Sequence, residues 1–295
     1  MSRIHEALRK AAEERASATV AAEPLDPTPE KELAMQAASR EASTKLKGPS
    51  SIRFEELRKL CSHPVWNSDP RLNVFKDPEG EKSGAECFRT LRSRLHQIAA
   101  TRPLKRILIT SSIPGEGKTF VAANLAQSIT LQPDQRVLLI DADLRASRLH
   151  LAFGAPTTPG LSEYLRGEAS EYEVIQNGSA ENLCLIPGGS EAANPSELLL
   201  NERMKRLLDI VTPAFDFVIL DSPPAIPVHD PNLLADLCDG TLFVVRAGVT
   251  DGDLALRAAA EFEQKNLLGV VLNGVGPEST YGEYYKGLYA SAEKR

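Results

Sequence analysis

Ser112-Ile-Pro-Gly-Glu-Gly-Lys-Thr119 stands between the apolar run Ile107-Leu-Ile109 and a helix-like stretch, Phe120-Val-Ala-Ala-Asn-Leu-Ala126. A glycine-bearing segment between strand and helix turns its backbone N–H groups onto a phosphate, and the helix that follows aims its positive N-terminus at the same anion. Lys118 is then set to reach the β- and γ-phosphates of a nucleotide, and the Thr119 hydroxyl to hold Mg²⁺. Pro114, Gly115, Glu116, Gly117 and Phe120 complete the candidate cradle. The glycine that usually opens this motif is Ser112 here, a residue small enough to allow the turn.

Two further apolar runs end in aspartate. Val137-Leu-Leu-Ile140 delivers Asp141, with Asp143 and Arg145 close behind, and Phe217-Val-Ile-Leu220 delivers Asp221, followed by Ser222-Pro-Pro224. In an open parallel sheet, ligands gather beyond the carboxyl ends of the strands, so the three aspartates and the loop are expected to converge. Mg²⁺ takes hard oxygen ligands and keeps several waters, so one or two carboxylates plus phosphates suffice. Thr119, Asp141 and Asp221 are therefore candidate metal-side groups, Asp221 through water, with Asp143 able to share the ion. Lys118, Asp141, Asp143 and Asp221 are the candidate catalytic set. Asp141 is best placed to orient or deprotonate the attacking group, but the spacing leaves the base open between Asp141 and Asp143. An oxygen nucleophile, water or hydroxyl, is all that these groups imply by themselves.

A possible acceptor lies at the end of the chain. Four of the six tyrosines, Tyr281, Tyr284, Tyr285 and Tyr289, fall in the last 15 residues, among Gly282, Gly287 and charged groups. Adjacent tyrosines cannot both face one side of a strand or helix, which suits substrate positions better than packing. Each phosphate added there brings about −1.5 to −2 charge at neutral pH.

These groups need elements to position them. Phe88, Leu91, Leu95 and Ile98 recur at helical spacing and predict a helix over 83–100. Beyond it, apolar runs at 106–110, 136–140, 183–186, 217–220, 241–245 and 269–272 alternate with amphipathic stretches at 118–130, 196–212, 230–237 and 251–265. Near-continuous apolar strands between helices predict an α/β fold of the P-loop NTPase type, with a mostly parallel sheet and helices on both faces.

With 295 residues the chain can bury a sizeable core, and its net charge of −6 does not favour a basic nucleic-acid-binding surface. Cys61, Cys87, Cys184 and Cys238 form no C-x-x-C pair and read as reduced core thiols. No apolar run approaches the ~20 residues of a membrane span, and the N-terminus lacks a signal-peptide core. The expected location is cytoplasmic, without direct membrane insertion.

From about residue 82 to 295 the chain resembles the bacterial tyrosine autokinases that regulate capsule and exopolysaccharide assembly. The resemblance rests on Ser112–Thr119, on Leu138-Leu-Ile-Asp-Ala-Asp-Leu-Arg145, on Val218-Ile-Leu-Asp-Ser-Pro-Pro224 and on the tyrosine tail. It implies a kinase that uses ATP and Mg²⁺ to phosphorylate tyrosines in a neighbouring subunit's tail, within a cyclic homo-oligomer. It further implies that Glu86-x-x-Arg89-x-x-Arg92 is a subunit interface and that Asn273 lies near the adenine. A separate membrane-bound protein of chain-length control is implied as activator, drawing the kinase to the inner face of the plasma membrane. Two departures stand out: Ala146-Ser-Arg148 follows Arg145 where the family commonly has a proline, and the tail tyrosines are more widely spaced than in richly clustered members. The expected organisation is an amphipathic helix at 1–16, a disordered linker at 17–51, an extension packing on the core at 52–81, the kinase domain at 82–278 and the tail at 279–295. Two other readings compete. A partitioning or cell-division ATPase of the same fold group would carry lysine where Ile113 stands, and a non-enzymatic nucleotide-sensing adaptor of a polysaccharide exporter is disfavoured by intact Lys118, Asp141 and Asp221.

Overall fold

A computed structural model describes residues 53–75, 82–178 and 180–276. The helix expected over 1–16, the linker over 17–51 and the tail over 279–295 lie outside the described residues. Helices α1 (Phe54–Leu60) and α2 (Lys82–Ala99) precede β1 (Arg106–Ser111), α3 (Lys118–Thr130) and β2 (Val137–Asp141). Next come α4 (Leu149–Phe153), α5 (Leu161–Arg166), α6 (Glu171–Val174), β3 (Gln176–Asn177) and β4 (Leu183–Ile186). The chain continues through α7 (Pro195–Leu199), α8 (Glu202–Val211), β5 (Phe217–Asp221), α9 (Asp230–Ala235), β6 (Gly240–Arg246), α10 (Gly252–Ala260) and β7 (Leu267–Asn273).

The seven strands form one sheet in the order β3-β4-β2-β5-β1-β6-β7. Every neighbouring pair is parallel except β3 with β4. Successive strand residues point to opposite faces. Ile107, Ile109, Leu139 and Ile219 accordingly pack with residues of α2, α3 and α4, whereas Leu108, Ile140, Val218 and Leu220 pack with residues of α5 to α10. Burial on both faces explains why the strands read as continuous apolar runs rather than as alternating ones. The P-loop-type α/β class expected from those runs is the fold observed.

The helix expected over 196–212 is two helices, because the Asn201 side chain accepts a hydrogen bond from Arg203 N–H and caps a new helix after Leu199. The stretch expected helical over 251–265 ends as α10 at Ala260, and a separate turn of 3₁₀ helix covers Glu263–Lys265. Between β2 and β4 the three short helices and the two-residue β3 are too brief to carry a period.

Residues 53–75 lie against the sheet domain. Phe54 and Leu57 enter the core, with the Phe54 ring edge-on to Phe215 at 5.4 Å, and Trp66 meets Phe153 at 5.2 Å. Val74 N–H donates to Asn124 Oδ1 at 2.9 Å, and Asn124 Nδ2 donates to Leu72 O at 3.0 Å. These bonds tie the segment to the middle of α3. Cys61 and Cys184 are buried, but Cys87 is exposed on α2, so it is not the core thiol expected.

Candidate functional site

The loop between β1 and α3 bends through Gly115 and Gly117, both with positive φ, at 85° and 96°. Gly117 is required twice over, since a Cβ there would also stand 2.0 Å from Asn273 Nδ2. Ser112 needs no such freedom, because among the described residues Asn266 alone combines positive φ with a side chain. Its carbonyl accepts from Ile226 N–H at 3.1 Å, which joins the loop to the segment after β5.

Glu116 is buried within the loop. Its carboxylate accepts from Ile113 N–H at 2.7 Å and from the Thr250 hydroxyl at 2.6 Å. Arg246 Nη1 donates to Gly115 O at 3.1 Å, and Asn273 Nδ2 donates to Glu116 O at 2.9 Å. The ends of β6 and β7 therefore brace the loop from outside. Glu116 and Asn273 use their side chains for this bracing, and neither lines the adjoining cavity. Nothing in the sequence pointed to Arg246 or Thr250, because a loop brace has no spacing signature.

That cavity, of about 640 Å³, brings together Pro114, Gly115, Gly117, Lys118, Thr119, Phe120 and Asp143. Arg145, Arg148, Leu72 and the Pro223-Pro224 pair also line it. Asp141 and Asp221 are directly paired in register on neighbouring β2 and β5 and are buried rather than on the cavity wall. Asp141 Oδ2 accepts from Ser147 Oγ at 2.7 Å and from Leu149 N–H at 3.0 Å, while Oδ1 accepts from Asp143 N–H at 3.2 Å. Ser147 thus occupies the segment where a proline was expected and gives the aspartate a hydroxyl donor. Asp143 Oδ1 accepts from Ala146 N–H at 3.0 Å.

Burial pushes the Asp141 carboxyl up to about 6 against the hydrogen bonds from Ser147 and Leu149. Asp221 is pushed up to about 8, first by burial and then by the Asp141 charge, with Lys118 and the Thr119 hydroxyl pulling it down. By strict hydrogen-bond geometry neither Asp221 oxygen has a partner among the described residues. Two unpaired carboxylate oxygens in a buried place fit a cation or its waters, because burying such atoms without a partner is costly. Among the described residues no three acidic, histidine or cysteine side chains converge on a metal.

These carboxyls set an expected pH dependence. Their folded pKa values lie above the ordinary aspartate value of 3.8, so the native state binds more protons than the unfolded chain between about pH 4 and 8. Without nucleotide, stability should fall as pH rises through that window and level off above it. Glu163 works the other way: burial opposes it, but donors from Ser190 and Gly160 bring it down to about 2, so its contribution is lost only below about pH 4.5. Urea midpoints from pH 5 to 8.5 check this, and a flat or rising profile would contradict it.

The expected interface residues divide. Glu86 and Arg89 form an ion pair on α2 at 3.0 Å, with Arg89 exposed and Glu86 partly exposed. Arg92 turns inward and donates to Ser128 O at 2.6 Å, tying α2 to α3. Tyr281, Tyr284, Tyr285 and Tyr289 lie outside the described residues.

Comparison with known proteins agrees with the geometry. Residues 104–245 match the model of a family described as AAA domain. Over 216 residues the chain is 36% identical to the tyrosine-protein kinase YwqD of Bacillus subtilis, spanning 72% of this chain and 91% of that protein. It is 37% identical over 195 residues to the tyrosine-protein kinase etk of Escherichia coli, covering 65% of this chain but only 27% of that longer protein. Among solved structures, the kinase domain of the Escherichia coli tyrosine kinase ETK superposes with a TM-score of 0.66 at 32% identity, covering 77% of this chain and 94% of that one. The phosphate loop, the paired strand-end aspartates and an alignment that runs through nearly all of the Bacillus protein together make this chain a member of the bacterial tyrosine-protein kinases.

Proposed function

We propose that the protein is an ATP- and Mg²⁺-dependent autokinase that phosphorylates its own C-terminal tyrosines, the acceptor coming from a neighbouring subunit of a cyclic homo-oligomer. One observation carries this reading. β7 ends at Asn273, which is bonded to the phosphate loop, and Tyr281 follows only eight residues later (281 − 273). The last described strand therefore ends beside the loop.

When bound, Mg²⁺·ATP supplies the γ-phosphoryl group and offsets its charge. Lys118 and the loop N–H groups would hold the phosphates, and Thr119 and Asp221 would hold the metal, Asp221 through water. The phenol oxygen forms the new bond to phosphorus as the bond to the β-phosphate oxygen breaks, and the phenol proton passes to a carboxylate. Asp143 borders the cavity, which favours it for contact with the phenol, while Asp141 behind it orients the loop. In this reading Asn273 keeps the adenine end of the site in place, and Glu86 and Arg89 contribute the outward part of the subunit interface.

Phosphorylated tails gain negative charge and repel one another, which loosens the ring and couples the modification to exopolysaccharide synthesis and export. No described helix is long and apolar enough to cross a membrane. We place the kinase in the cytoplasm, recruited to the membrane by a separate chain-length-control protein. Mass-spectrometric mapping after incubation with Mg²⁺·ATP is expected to find phosphotyrosine at 281, 284, 285 or 289. A variant with all four as phenylalanine should lose it, yet still label a Lys118→Met partner when the two are mixed. ATP turnover with no label on these four tyrosines would overturn the autokinase reading in favour of an ATPase switch.

A further inference from the structure

Asp230, the first residue of α9, is buried, and both of its carboxylate oxygens are engaged. Oδ2 accepts from Arg145 Nε at 2.7 Å, and Oδ1 accepts from Arg145 Nη2 at 3.3 Å and from Ser196 Oγ at 2.5 Å. Arg145 Nη2 also donates to Ser196 Oγ at 2.8 Å. Three segments distant in sequence, the loop after β2 and the starts of α7 and α9, thus meet on one guanidinium. A bidentate carboxylate fixes the plane of that group as well as its position.

The pair is lopsided. The Asp230 side chain is 1% exposed and that of Arg145 is 38% exposed. Arg145 lines the same cavity as Lys118 and Asp143. Its Nη1 has no hydrogen-bond partner among the described residues. In phosphoryl transfer, charge spreads over the oxygens of the moving group, and a donor already held in place stabilises that charge without having to reorganise.

We propose that Asp230, assisted by Ser196, is a positioning residue that locks Arg145 against the cavity so that its free Nη1 edge meets the transferred phosphoryl group. The proposal rests on the tyrosine-kinase reading of this site. A merely structural tie between the loop and α9 makes a different demand: it would affect folding and leave the turnover of folded molecules alone.

The test uses the full chain and the variants Asp230→Asn, Arg145→Ala and the double variant. ATP hydrolysis and phosphotyrosine formation are measured with kcat and KM separated, beside thermal unfolding. Asp230→Asn is expected to lower kcat by about 30-fold and Arg145→Ala by about 100-fold, with KM for ATP moving by less than about threefold. The double variant should be no slower than Arg145→Ala, because the aspartate acts only through the arginine. Wild-type kcat in Asp230→Asn, or an equal loss on the Arg145→Ala background, would overturn the proposal. If Asp230→Asn does not fold, Ser196→Ala takes its place, with a loss of about threefold expected on the wild-type background and none on Arg145→Ala. Wild-type protein that hydrolyses ATP without forming phosphotyrosine would sink the kinase reading alone, since the hydrolysis arm still reads the effect of Asp230 on Arg145.

Discussion

Replacing Lys118 by methionine is expected to reduce phosphotyrosine formation by about 10³-fold while the protein still folds. Lys118 opens α3 directly after Gly117, is buried, and lines the cavity beside the loop. A point charge held there is the group able to follow charge from the β- to the γ-phosphate as the bond breaks. Methionine keeps much of the length and volume of the side chain, so the core around α3 stays filled. Removing the lysine also takes away an attraction that lowers the Asp221 pKa. Asp221 then shifts further toward its neutral form, and the buried site is not left holding an uncompensated charge. Quantitative phosphotyrosine detection with a thermal melt checks both halves. A folded Lys118→Met protein that labels itself at the wild-type rate would remove the lysine from the mechanism.

Asp221→Asn is expected to act in opposite directions on activity and stability. Keeping a carboxylate buried beside Asp141 favours its protonated form, at a cost relative to the unfolded chain. Near pH 7 the neutral amide removes that cost, and the nucleotide-free protein should gain on the order of a few kcal/mol. The same change removes the carboxylate proposed to face Mg²⁺, so Mg²⁺-dependent transfer should fall by about 10²-fold or more. The stabilisation should be smaller at pH 5, which lies closer to the carboxyl's unfolded value, so that holding it protonated in the fold costs less. Urea unfolding at the two pH values, with Mg²⁺ titrations of activity, separates the effects. A variant that loses stability and keeps its Mg²⁺ response would show that Asp221 is scaffold rather than site.

Much of this arrangement is legible from residues close together in the chain. The phosphate loop is local, so glycine positions and flanking apolar runs suffice to find it, and Gly115 and Gly117 adopt the conformations that glycine alone adopts readily. The strands carrying Asp141 and Asp221 are legible for the same reason. Arg92 is the instructive contrast: its helical position matches an outward motif, yet a long side chain at the edge of a face also reaches back to Ser128 O. Asn201 breaks a helix that apolar spacing alone would continue, because a cap acts on one N–H and leaves the period unchanged.

By itself the sequence determined the inventory: a loop for phosphate, three carboxylates at or just past strand ends, an α/β framework and a cluster of phenols at the end of the chain. Only the tertiary structure decided which of these touch. Periodicity reports which way a residue faces and says nothing about which strand lies beside it. The order β2-β5-β1 sets Asp141 against Asp221 across 80 residues (221 − 141), and the Asp141 charge that joins burial in raising the Asp221 carboxyl acts through that pairing. The pairing of Arg145 with Asp230, 85 residues apart, is likewise decided in space, because a buried carboxylate finds its partner where the fold brings a guanidinium and not where the chain places one.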